Sequence, residues 1–104
     1  VEETDDAWVS ALRAIETEPG KWFFEAVETK PSARGCGYGS ALVRHTLAYL
    51  AAQGMTETTC TIAAKNLASQ KMHGKCGFRP TDAQPLNPWG EVEKNCILYR
   101  YRVS

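Results

Sequence analysis

The sequence predicts a mixed α/β (α+β) domain whose elements run α-β-α-β-α-β-β. Three features predict it. Helix-period segments alternate with short aromatic or β-branched runs. A glycine-rich loop leaves one such run and opens the clearest helix. No tract repeats, and none is of low complexity. Helices alternating with strands imply a sheet with parallel strands at its centre. At 104 residues the chain suits one small domain, 1–104, of a size that buries roughly two-thirds of its unfolded surface.

Residues 5–17 (DDAWVSALRAIET) read as a helix. Trp8, Leu12 and Ile15 recur at three to four residues, Asp5 or Asp6 serves as a cap, and Glu18-Pro19-Gly20 stops it. Residues 21–29 (KWFFEAVET) are aromatic and β-branched and read as a strand ended by Pro31. Residues 39–53 form the clearest helix, with Leu42, Val43, Leu47 and Leu50 as its apolar stripe and Gly54 beyond its end. Residues 57–64 are the next strand, and 67–75 a helix closed by Gly77. A short strand follows at Phe78–Thr81. Pro85, Pro88 and Gly90 make 82–93 a loop, and 95–103 alternate as a final strand.

Composition narrows the class. With 43% hydrophobic and 23% charged residues the chain reads as soluble and globular. Lys+Arg and Asp+Glu stand at 12 each, so no net field draws it to nucleic acid or an anionic membrane. No apolar run approaches the roughly 18–20 residues of a membrane span, and the acidic N-terminus (Glu2, Glu3, Asp5, Asp6) is unlike a secretory leader. Cys36, Cys60, Cys76 and Cys96 are scattered without a CxxC and read as reduced, cytoplasmic thiols. His73 and Cys76 have ligand-compatible spacing, but two ligands do not close a zinc site, so no metal is expected.

The loop Arg34-Gly35-Cys36-Gly37-Tyr38-Gly39 lies between a strand and a helix. A helix N-terminus carries unpaired N–H groups and about half a positive charge, which suits it to phosphate. Glycine lets backbone approach a pyrophosphate without an intervening Cβ. The spacing GxGxG matches neither the dinucleotide fingerprint nor the Walker loop. A plain tight turn into a helix accounts for the same residues.

Arg34-x-x-Gly37-x-Gly39 resembles motif A of the GNAT superfamily of N-acetyltransferases, R/Q-x-x-G-x-G/A, and Val27–Pro31 resembles the strand and proline leading into it. A second stretch, Asn66 to Phe78, resembles motif B: Asn66, Ser69, Gly77 and Phe78 fall at matching offsets, one helix and one strand downstream. The resemblance covers 22–78 well, 79–103 more loosely, and 1–18 not at all. It implies a GNAT-like sheet lacking the family's usual N-terminal strands and helices, a partial domain whose first strand has an exposed edge.

The resemblance further implies acetyl-CoA as cosubstrate, with the acetyl group passing directly to a primary amine. Backbone groups of Gly35, Cys36, Gly37, Tyr38, Gly39 and Ser40, with Arg34, would hold the CoA pyrophosphate. Thr29 at the strand end, Asn66 and Ser69 would meet the pantetheine arm. His73 stands where motif B usually has Tyr, the frequent general acid toward the CoA sulfur. Its reference pKa near 6.5 suits it to the work, though a half-exposed residue merely packing on the CoA chain is the simpler account. Glu25 lies in the apolar strand FFEAV. Buried mid-sheet it would accept the amine proton, directly or through water, and at an edge it would be a solvated carboxylate. Glu28 alternates to the opposite face. Asn66 alternatively caps the following helix.

Cys36, beside the expected phosphates, has a helix N-terminus to lower its thiol pKa, but direct transfer gives it no catalytic part. Cys60 and Cys76 read as small core residues, His45 as packing or solvent-facing, and Trp8, Trp22 and Trp89 as core or interface anchors.

Three functions compete. The first is an N-acetyltransferase acting on a small or peptide amine. The second is a truncated, non-catalytic module that holds acyl-CoA or assembles with a partner. The third is a fragment of a longer enzyme, which the start at Val1 favours. A homodimer or a partner chain completing the sheet follows from the exposed edge, and loops such as Pro85–Gly90 would help select the acceptor.

Overall fold

The computed structural model describes residues 10–29 and 38–103, with side chains described for 12–25 and 39–103. The elements run β1 (Ser10–Glu18), β2 (Lys21–Thr29), α1 (Tyr38–Ala52), β3 (Glu57–Ala63), α2 (Leu67–Lys75), β4 (Arg79–Pro80) and β5 (Cys96–Arg102). The mixed α+β architecture is the one expected, and from β2 onward each element falls within a few residues of its predicted place.

The first element is a correction. Residues expected as a helix over 5–17 form, where described, the strand β1, and the order is β-β-α-β-α-β-β. Leu12 and Ile15 sit at helical spacing, but in a strand they face opposite sides of the sheet, and both are half-buried. Leu12 and Ala14 pack on the core, while Arg13 lies on the opposite face, paired with Glu25. Pro19-Gly20, read as a helix stop, turns the chain between β1 and β2, which pair antiparallel up to Glu18↔Lys21. Gly20 has φ +83°, the conformation that the third position of a type II turn requires. A neighbouring strand able to satisfy the β1 backbone outweighs a short helical periodicity.

Sheet order is β1-β2-β3-β5-β4 among the described residues. The edge expected at the first predicted strand is therefore covered: β2 lies between β1 and β3, and β1 carries the free edge. Val43, Leu47 and Leu50 of α1, Met72 of α2 and Cys76 at its C-cap join Phe24, Cys60, Ile62 and Tyr99 in one core, so both helices cover the same sheet face. Phe78, wholly buried, packs its ring against Phe24, His73 and Tyr101. Phe23 and Leu98 are buried on the other face, outside that core.

The ends of α2 follow local chemistry. Asn66 Oδ1 accepts from Ser69 N at 3.0 Å, and Gly77 ends the helix with φ +102°. Phe78 N donates to His73 O at 3.0 Å and Gly77 N to Gly74 O at 3.1 Å, the paired bonds of a Schellman end. No helix among the described residues is long and apolar enough to cross a membrane.

Candidate functional site

Two parallel strands build the site by parting. β2 and β3 pair at Lys21↔Glu57, Trp22↔Thr58 and Phe23↔Thr59, and no further. Among the described residues, β2 beyond Phe23 pairs only with β1, and β3 beyond Thr59 pairs only with β5. The closed end is pinned by Gly20, whose carbonyl accepts from Thr56 N (2.7 Å), Thr56 Oγ1 (3.0 Å) and Glu57 N (3.2 Å). The strands thus make a V, open toward the C-terminal ends of both.

Those ends lead to the residues singled out from sequence. Thr29 is the last residue of β2, opposite Ser10, and its side chain lies outside those described. Arg34, Gly35, Cys36 and Gly37 lie outside the described residues, as do Trp8 and the Glu28 side chain. Tyr38, Gly39 and Ser40 form the first turn of α1, which carries no acidic residue to offset the partial positive charge of a helix start. Cys76 Sγ lies 3.7 Å from Ser40 Oγ, which ties the end of α2 to that turn. Asn66 and Ser69 open α2 at the end of β3. Thr29 and the start of α2 thus follow the C-terminal ends of the two parallel strands.

His73, read either as a general acid or as a half-exposed residue packing on the CoA chain, is buried, at 2% exposure. Its Nδ1 lies 2.8 Å from the Ser69 carbonyl and 3.2 Å from Ser69 Oγ. A carbonyl only accepts, so Nδ1 carries the proton and Nε2 the lone pair. Nε2 is buried and has no partner among the described residues. Burial lowers the His73 pKa, against a smaller upward pull from the Ser69 carbonyl, so the ring is neutral.

Glu25 stands two residues past the last parallel rung, on the face opposite Phe24 and the helices. It is neither deeply buried nor fully solvated: its carboxylate meets Arg13 Nη1 at 3.1 Å, with side-chain exposures of 26% for Glu25 and 66% for Arg13. Past this rung the register slips, two residues of β2 standing opposite one of β1 between Arg13↔Glu25 and Ala11↔Glu28. Such a bulge bends and re-aims its strand.

The family model for the acetyltransferase (GNAT) family matches residues 2–78. This chain belongs to the GNAT acetyltransferase family. Its fold is similar to that of a Bacillus subtilis acetyltransferase in complex with CoA, at TM-score 0.76 and 14% identity, over 98% of this chain and 74% of that one. A GNAT family acetyltransferase from Elizabethkingia anophelis with acetyl-CoA bound matches at TM-score 0.79 and 12% identity, over 97% and 72%. One from Staphylococcus aureus matches at 0.80 and 13%, over 99% and 65%. No curated protein matches the chain.

In this GNAT domain Cys60, Cys76 and Cys96 are free thiols, and burial pushes the Cys60 thiol up to about 12. Among the described residues no group of three or more His, Cys, Asp or Glu is placed to hold a metal. His45 faces solvent, Trp22 packs on the core, and Trp89 is 63% exposed. Arg13 went unremarked in the sequence because a helical reading of 5–17 puts it on a solvated face. The alternation Leu12-Arg13-Ala14 is the signal in the sequence that a strand reading would have used.

Proposed function

We propose that the chain binds acetyl-CoA in the opening between β2 and β3 and transfers the acetyl group to a primary amine. The observation that carries this reading is the end of parallel pairing at Phe23↔Thr59 beside the start of α1. It leaves two unpaired strand edges facing one another and a helix N-terminus at the same rim, a place for an extended polar chain ending in phosphates. Relatives of the same fold crystallised with CoA and with acetyl-CoA support the choice of ligand. The loop residues Arg34, Gly35, Cys36 and Gly37, with Tyr38, Gly39 and Ser40, take the pyrophosphate. Thr29, Asn66 and Ser69 meet the arm, Asn66 through the amide nitrogen its capping bond leaves available.

In this reading Glu25 takes the proton of the incoming ammonium, so that the free amine attacks the thioester carbonyl. His73 approaches from the helix side. As a neutral ring with its lone pair at Nε2, it is arranged to accept a hydrogen bond rather than to give up a proton. A proton donor there would first have to be charged, against the burial that lowers its pKa.

A second reading is an acyl-CoA-binding module without turnover. It is favoured by the share of similar GNAT structures that the chain spans, 74% of the Bacillus subtilis enzyme and 65% of that from Staphylococcus aureus.

Calorimetric titration with acetyl-CoA and with CoA tests the site. Gly37→Glu places a carboxylate against the pyrophosphate, and micromolar binding lost in that variant is the expected result. A folded chain that binds neither ligand sinks the proposal. A panel of tyramine, spermidine and a lysine-containing peptide, followed by thiol release, then separates the two readings: binding without release favours the module.

A further inference from the structure

Glu25 and Arg13 are direct cross-strand partners, joined at 3.1 Å from the β1 side. On the other side β2 has already parted from β3. Arg13 engages Oε1, and no partner of Oε2 is present among the described residues. The described strand neighbours on this face, Ile15 and Phe23, are apolar, and the charged pair Glu57 and Arg100 stand 3.8 Å from one another. Arg13 is thus the one cation at ion-pair distance from Glu25 among the described residues. It holds the last regular rung before the bulge, where the strand is about to change direction.

A pair this exposed adds little to stability, so its placement calls for another explanation. We infer that Arg13 is a positioning residue: by holding Oε1 on the β1 side, it presents Oε2 to the opening between β2 and β3. The inference rests on the reading of Glu25 as proton acceptor. Orientation of this kind matters to rate because a misplacement of about 1 Å in a catalytic group can cost on the order of a hundredfold.

The test is a double-mutant cycle in kcat, with acetyl-CoA and whichever amine of the panel above turns over fastest. Arg13→Gln is expected to lower kcat by about tenfold and to leave the KM for acetyl-CoA unchanged. Arg13→Lys, which keeps the cation, recovers most of the loss. In a Glu25→Gln background, Arg13→Gln has no further effect, because there is no carboxylate left to aim. Thermal melts of each variant establish that the fold is intact. Losses that multiply across the cycle, or an Arg13→Gln chain with unchanged kcat, overturn the positioning role and leave Glu25 as the acceptor. A Glu25→Gln chain that keeps full activity, or a wild-type chain that acetylates no amine, overturns the acceptor reading and this inference with it.

Discussion

A buried neutral imidazole gives His73 a measurable signature. It stands edge-on to Phe78 at 5.2 Å between centroids, and burial lowers its pKa below the usual histidine value. The unfolded chain therefore binds a proton that the folded chain refuses. Stability is fully present above about pH 6.5 and falls as pH drops below it, levelling off only below the lowered native pKa. Urea unfolding of the wild type at pH 8 and pH 5.5 is expected to show this loss, and His73→Gln is expected to lose less between the same two values. The offset of His73 within motif B was legible in the sequence. Its tautomer was not, because that depends on which nitrogen the Ser69 carbonyl meets once the helix has formed.

Helix ends are written in adjacent residues, and α2 shows how far that carries. Asn66 accepts from Ser69 N and Gly77 turns the chain out, so the predicted span 67–75 is the observed one. Asn66→Ala is expected to cost about 1 kcal/mol in chemical denaturation. A separate loss of acetyl-CoA affinity in that variant, measured by calorimetry, is the outcome expected from the contact with the pantetheine arm proposed for Asn66. Gly54 and Gly77 offer a matched pair, with φ +99° and +102°. Nothing lies within 4 Å of a Cβ added at Gly54, so Gly54→Ala shows the left-handed penalty alone, on the order of 1–2 kcal/mol. At Gly77 the added Cβ meets the Tyr101 ring at 3.0 Å, and Gly77→Ala is expected to be the more destabilising of the two. The strand β1 reveals the opposite case. Its apolar residues fit two periods, and the choice between them was made by the edge of β2, a partner that a local window does not contain.

Assembly of the whole sheet creates the opening. Gly20 joins the β1–β2 turn to the segment before β3 and holds three pairs of residues in register, after which the strands follow different neighbours. A ligand bound there touches both sides of the V and the start of α1, so it should couple these parts. Acetyl-CoA at a hundredfold excess over its Kd is expected to raise stability by about 2.7 kcal/mol if it binds only the folded chain. The Gly37→Glu variant should show no such rise in a thermal-shift measurement.

Family and the order of elements after residue 20 were legible in the residues themselves, since glycine spacing, caps and apolar periodicity act over a few positions. The pairing of Arg13 with Glu25, the burial of His73 and the parting of β2 from β3 were not. Each joins segments remote in the chain or depends on where a hydrogen-bond ladder stops, and such relations arise only when strands choose neighbours and a core closes around them.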